Sequence, residues 1–278
     1  MKSVETTGHL LPRSELLQRV EHREAIARTL DLAERAMKTW EVVCSDFLSP
    51  PELAEAMAIF EPLAEVETVA WGGYPQAERQ RLAIAPPSML IASPGDDPQA
   101  LAKAVVELAA IEVRGNFLFD TATHRDFLGS ILATGIVREK VGDILAVGEQ
   151  GAQIVLEPQL VPHLEMSLTQ VRSVPVKTKQ ISIEALRVRP PRTKSITTVE
   201  ASMRLDAIAS AGFSTSRSRM AGDIQTGEVK VNWKTITQAS RPVATGDLIA
   251  IRGRGRVQVG EVSTTKKGRY RVELTRYL

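Results

Sequence analysis

Cysteine is almost missing from this 278-residue chain. Cys44 stands alone, which excludes an internal disulfide and any multi-cysteine metal site and agrees with a reducing compartment. Its ordinary role is that of a small buried apolar residue. Four scattered histidines supply no haem, pigment or metal ligand set, so no cofactor is expected. No apolar run approaches the roughly 20 residues that span a bilayer. The polar N-terminus also lacks the apolar stretch of a secretory signal, and the expectation is a cytoplasmic protein with no membrane insertion. Glycine is absent between Gly8 and Gly72, which leaves the first quarter of the chain free to form helix. Aromatic residues make up only 4%, and the basic stretch described below offers few of them for stacking on bases.

What is present is an uneven distribution of charge. The net is only +2, yet from residue 186 onward 18 Lys and Arg stand against 7 Asp and Glu, a net of +11. Residues before it hold 17 against 26, a net of −9. Such asymmetry suggests a polyanion-binding module on an acidic body, the polyanion being RNA, DNA or an anionic membrane. The length suits two or three modest domains.

Leu, Ala, Glu and Arg dominate residues 14–40, which predicts helix with a break near His22. In Ser49-Pro50-Pro51-Glu52 the serine can cap and the glutamate can reach back, so another helix is expected from Pro50 to about Phe60. Residues 1–66 therefore read as a helical packing unit. Trp71-Gly72-Gly73-Tyr74-Pro75 reads as a turn, because no lysine-serine pair or helix start follows to make a phosphate loop. Short apolar runs follow at 82–85 and 89–92.

From Ala109 the pattern becomes regular. A strand holds Ile111 and Val113, Thr123 caps a helix from His124 to Thr134, and Gly135 stops it. Strands 144–147 and 154–156 flank a glycine turn, and a helix over about 159–171 and a strand over about 174–183 complete the order βαββαβ. That order is the ferredoxin-like plait of RNA-recognition folds, of many enzymes and of many regulators, and it is expected over 67–185. The aromatic pair that RNA-recognition plaits carry on their central strands is missing. His124-Arg125-Asp126 pairs imidazole with carboxylate in sequence, but consecutive helical residues do not face each other, and no nucleophile is tied to them. Arg187 to Lys194 is a basic, proline-containing connector to a last domain over 186–278.

In that last domain Leu205, Ile208 and Ala209 recur at helical spacing, and Gly212 is expected to close the helix in the left-handed conformation. Ser214 is expected to cap a second helix that carries Arg217 and Arg219 and ends near Gly227, before Val229 and Val231 alternate as in a strand. Arginines near a helix N-terminus oppose the macrodipole, a mismatch that a phosphate relieves; solvated surface charge is the alternative reading. Arg252, Arg254 and Arg256 alternate with glycines, and on a strand they would form a row with a spacing of about 6.6 Å, close to that of successive phosphates. Lys266, Lys267 and Arg269 form a basic turn after it.

The run R-L-D, G-F-x-x-S-R and G-x-V-x-V-N resembles the S-four domain, the small RNA-binding domain first described in ribosomal small-subunit protein four. V-N-W-K, R-G-R-G-R and T-K-K-G-R, with H-R-D-F-L-G and V-G-D-I in the middle third, resemble the YlmH family. Cyanobacterial and plastid members of that family are called photosystem II S-four-domain proteins. Trp233 stands where the wider domain has a turn glycine, and Asp223 where it has an apolar helix residue. The resemblance implies an α+β protein in three parts: a helical N-terminal unit, a ferredoxin-like, RRM-like plait and a C-terminal S-four-like αL RNA-binding domain.

It implies non-catalytic binding of structured RNA, ribosomal or transfer RNA, on the large ribosomal subunit, in rescue of stalled translation. Arg204, Arg217, Arg219, Lys230, Lys234, the arginine row and the Lys266-Lys267-Arg269 turn are expected to meet phosphates. Ser216 and Asn232 are expected to bond the backbone or a 2′-hydroxyl. Arg125, Arg138 and Lys140 are secondary contacts that the resemblance implies. The rivals are an RNA-modifying enzyme of the pseudouridine-synthase type, whose characteristic aspartate motif is not visible, and an assembly scaffold linked to cell division or photosystem II.

Overall fold

A computed structural model describes residues 11–91 and 99–277; Ala92, the end of an expected apolar run, lies outside them. The chain divides into two compact units, Met1–Val188 and Arg189–Leu278.

The first unit begins with α1 (Arg13–Leu16) and α2 (Arg23–Thr39). The expected break falls at residues 20–22, where the amides of Glu21 and His22 donate to Glu55 at 2.6 and 2.9 Å. Glu55 sits on α3 (Pro50–Phe60), whose start is the capping box read in the sequence: the Glu52 carboxylate accepts from Ser49 N at 2.7 Å and Ser49 Oγ at 2.6 Å. These helices cover a three-stranded antiparallel sheet in the order β1-β3-β2, with β1 at Val43–Cys44, β2 at Glu67–Trp71 and β3 at Arg81–Ala85. Ile26, Leu30, Phe60, Leu82 and Ile84 form the core between them. Strands β2 and β3 lie beyond residue 66, yet β3 pairs with β1 on one side and β2 on the other, and they pack under α2 and α3, so residues 67–85 complete this sheet. A helix needs an apolar face to cover, and this sheet supplies it.

After α4 (Ala100–Val105) come β4 (Ala109–Arg114), α5 (His124–Ala133), β5 (Val141–Ala146), β6 (Gly151–Leu156), α6 (Val161–Ser167), the hairpin β7 (Gln170–Val171) and β8 (Val174–Pro175), and β9 (Lys177–Ile181). The four long strands lie in the order β5-β6-β4-β9, every pair antiparallel, which is the ferredoxin-like arrangement. Phe127, Ile131 and Leu164 from the helices fill its core against Ile111, Val113, Ile154 and Leu156. The strand expected over 174–183 is split in two, because Val176 N turns back to Thr169 O at 2.9 Å between β8 and β9.

The turn at Gly73-Tyr74-Pro75 docks on β5. Asp143 accepts from Tyr74 Oη at 2.7 Å, Glu78 N at 2.7 Å and Arg79 N at 3.1 Å. Arg79 reaches on to the carbonyls of Val141 and Phe47 at 3.1 and 2.6 Å, while Gly142 leaves room for the Phe47 ring, which a Cβ there would meet at 2.6 Å. Burial, then the Asp143 charge, pushes the Tyr74 phenol far above its ordinary value, so it stays a donor.

The second unit opens with β10 (Thr193–Glu200), then α7 (Leu205–Phe213), α8 (Arg217–Gln225), β11 (Val229–Val231), β12 (Lys234–Thr235), β13 (Leu248–Ile251), β14 (Gly255–Thr264) and β15 (Tyr270–Tyr277). These strands form one sheet in the order β10-β15-β14-β13-β11-β12. Leu205, Ile208, Phe213, Met220 and Ile224 bury the helix pair against Val229, Ile249, Val257 and Leu274.

Candidate nucleic-acid interface

Helix α7 runs one residue past Gly212, which corrects the expected stop. Gly212 is helical and buried, and a Cβ there would come within 2.7 Å of Val257, so glycine serves packing at this position. The left-handed residue is Ser214, at φ 54°. Thr215 N donates to Ser210 O at 3.0 Å and Ser214 N to Ala211 O at 3.3 Å, the paired bonds of a Schellman closure. The cap of α8 is accordingly Ser216, not Ser214: Ser216 Oγ accepts from Arg219 N at 3.3 Å. A serine used in this way is a helix cap before it is an RNA ligand.

The N-termini of α7 and α8 carry Arg204 and Arg217, and both side chains converge on Asp206. Arg204 grips it with Nε at 3.1 Å and Nη2 at 2.8 Å, and Arg217 Nη2 reaches it at 3.1 Å. The Asp206 side chain is only 7% exposed, whereas those of Arg204 and Arg217 are 41% and 53% exposed. The hydrogen bonds from Arg204, with Arg217 behind them, hold the Asp206 carboxyl below the usual carboxylate range despite its burial. In turn the Asp206 bond raises the Arg204 guanidinium above its ordinary value. The mismatch between arginines and helix N-termini is thus partly relieved inside the fold, and both guanidinium side chains remain partly exposed. Arg219, in the first turn of α8, is exposed.

The expected arginine row is not a row. Gly253 at φ 76° and Gly255 at φ 89° turn the chain between β13 and β14, so Arg252 and Arg254 sit in a hairpin tip and only Arg256 lies on a strand. Arg254 bonds Asp223 of α8 at 2.7 Å, which explains the carboxylate where the wider domain has an apolar residue. Arg256 lies 5.7 Å from the Tyr277 ring centroid, and Arg252 is exposed.

Asn232 likewise is a turn residue. With Trp233 it forms the two-residue link between β11 and β12, at φ 49° and 67°. Its amide donates to Asp247 at 2.8 Å, and its carbonyl accepts from Leu248 N at 2.9 Å. Both side-chain groups expected to meet RNA therefore hold the sheet. Lys234 is exposed and Lys230 half-buried on the paired strands. Lys266, Lys267 and Arg269 are exposed in the β14–β15 turn, at the other end of a ten-residue strand from Arg252 and Arg254 and so about 30 Å away. The fold brings Arg204 and Arg217 together on Asp206 and ties Arg254 to α8 through Asp223, and leaves the Lys266–Arg269 turn as a separate basic point.

Of the secondary contacts, Arg125 is exposed. Lys140 is not available: it bonds Asp46 at 2.7 Å and Glu157 at 3.0 Å. Arg138 turns inward to the carbonyls of Val141 and Gly142; burial, then the charge of Arg79, brings it down to about 10. His124 is lowered by burial and by Arg138, and Asp126 is spent in the capping box with Thr123, so the His-Arg-Asp run is helix-start chemistry. Among the described residues no group of three or more His, Cys, Asp or Glu is placed to hold a metal ion, and no helix is long and apolar enough to cross a membrane.

Three family models match the chain: "YlmH, N-terminal" over residues 21–89, "Putative RNA-binding domain in YlmH" over 103–185 and "S4 domain" over 203–249. The chain is 30% identical over 259 residues to the "Ribosome-associated protein quality control protein P2" of Bacillus subtilis (strain 168), covering 93% of this chain and 96% of the relative. A solved structure, "Cell division protein ylmH from Streptococcus pneumoniae", is 18% identical, covers 59% of this chain and 93% of its own, and superposes with a TM-score of 0.47.

Proposed function

The chain belongs to the YlmH family, and on that premise we propose that it binds structured RNA, ribosomal or transfer RNA, on the large ribosomal subunit. There it acts in rescue or quality control of stalled translation, in the cytoplasm and without catalysing a reaction. The name of the Bacillus subtilis relative supports the ribosomal setting. The convergence of Arg204 and Arg217 on buried Asp206, with Arg219 exposed in the same helical turn as Arg217, carries the RNA reading. Two arginine forks fixed by one carboxylate form a pre-aimed cradle for phosphate oxygens at two adjoining helix N-termini. Shape, rather than base edges, is what such a cradle reads.

In this reading the α7–α8 surface is the main contact, and the plait, through Arg125, is a second one. The test is binding of the purified chain to large ribosomal subunits and to transfer RNA at several salt concentrations, beside a variant with Arg217 and Arg219 replaced by alanine. Tight, salt-steep binding to large subunits that the variant loses is the expected result. Equal binding by both proteins, or none by either, ends this reading.

A further inference from the structure

Phe119 is 92% exposed, and its neighbour Leu118 is 50% exposed. Isolated surface apolar residues are ordinary. This one sits on the tip of the β4–α5 loop, and the tip is pinned on both sides. On one shoulder Gly115 N and Phe117 N donate to the carbonyls of Gln150 and Glu149 at 3.2 and 3.0 Å, and the buried Phe117 ring packs 5.3 Å from that of Phe127. On the other, the Asp120 carboxylate accepts from Arg172 Nε at 2.8 Å and from Ser173 Oγ. Arg172 is itself held in a left-handed turn at φ 54° and lies 3.7 Å from Asp126, so the tip is tied to the first turn of α5, where Arg125 is exposed.

We propose that Phe119 is a stacking platform for an unpaired nucleobase, a binding point separate from the α7–α8 cradle and resting on the RNA reading above. A phenyl face presented to solvent between two fixed shoulders gives a base a flat apolar partner with little ordering cost. Arg125, exposed in the first turn of α5, supplies positive charge for a phosphate that flanks the base, while Arg172 is held by Asp120 and Asp126 and serves to fix the tip. The segment also falls within residues 103–185, matched by the putative RNA-binding domain. The aromatic that the plait lacks on its strands is thus presented at a loop. The occupant is a base and not a protein, because Leu118 and Phe119 together expose too small an apolar area for stable protein docking.

The test uses the full chain, with large ribosomal subunits and bulk transfer RNA as probes, and Phe119→Leu, Phe119→Ala and Phe119→Trp as variants. Position 119 is exposed, so all three should melt like the unmodified protein. Leu and Ala should weaken binding to at least one probe by about 5- to 150-fold, the range for losing one stacked base. Trp should bind like Phe, and the slope of log K against log salt should stay unchanged, because no phosphate contact is removed. Short-wave ultraviolet crosslinking should place a nucleotide on the peptide spanning residues 115–125. Leu binding as tightly as Phe overturns the proposal, as does Trp failing along with Leu. A Leu variant that alters sedimentation but not RNA affinity assigns the tip to contact between copies and overturns it too. Should the unmodified protein bind RNA and lose it only on replacing Arg217 and Arg219, the nucleobase site alone falls; should it bind neither probe, the parent reading falls as well.

Discussion

Asp206 accepts hydrogen bonds from Arg204 and Arg217 at once, so one buried carboxylate sets the aim of two guanidinium groups that begin different helices. Because the Arg204 bonds, with Arg217 behind them, depress its folded value, the stabilisation it gives is complete above the unfolded value near ~3.9 and is lost as pH falls through the folded one. Asp206→Asn should therefore cost about 1–2 kcal/mol in urea unfolding at neutral pH. The gap from the unmodified protein should narrow below about pH 4. RNA affinity should drop severalfold while the salt slope persists, since both cations remain. A gap indifferent to acid would show that the carboxylate is not acting through its charge.

Lys266, Lys267 and Arg269 are exposed side chains in a turn, and replacing all three with alanine should leave stability within about 0.5 kcal/mol. If the turn touches RNA, each lost phosphate contact should flatten the log K–log salt slope by roughly 0.7–0.9. Arg254→Ala should behave in the opposite way. It strands Asp223, which is 15% exposed, and should lower stability by about 1–2 kcal/mol in a chemical melt, with a smaller change in slope.

Tyr74→Phe removes one of the three donors to Asp143 and should destabilise the first unit by about 1 kcal/mol. Amide exchange at Glu78 and Arg79 should quicken. RNA affinity should stay unchanged, since this contact joins the N-terminal strands to the plait and offers nothing to a phosphate. A loss of affinity without loss of stability would move Tyr74 into the binding surface.

Asn232→Ala removes two side-chain hydrogen bonds and places a Cβ residue with no local partner at φ 49°, which should cost about 2 kcal/mol. Asn232→Gly should fall between the two in thermal melts, because glycine keeps the backbone conformation and loses only the bonds.

Local chemistry was readable from the sequence wherever its partners lie within one turn of helix. Ser49 with Glu52 and Thr123 with Asp126 are capping boxes both in sequence and in space, and the βαββαβ order follows from periodicity alone. Legibility fails where a side chain answers to a distant one. Gly212 looks like a helix stop until Val257, 45 positions on, is seen to need the space. Arg252-Gly253-Arg254-Gly255-Arg256 alternates like a strand, but the positive φ of both glycines makes it a turn, and Asp223 then claims Arg254. Nor does spacing reveal that Lys140 is consumed by Asp46 and Glu157, one of them nearly a hundred residues earlier. Asp206 was visible in R-L-D, but its hold on Arg217 depends on where α8 begins.

The outermost strands of the C-terminal sheet bear on its behaviour at high concentration. One rim is β12, only two residues long and carrying exposed Lys234; the other is β10, preceded by Pro190-Pro191 and presenting exposed Thr193, Lys194 and Ser195. A stray chain seeking to extend the sheet meets too little backbone on one side, and on the other a polar strand whose lead-in has no amide to offer at either proline. This sheet is built to terminate, and crowding gives it little means of growing into a fibre.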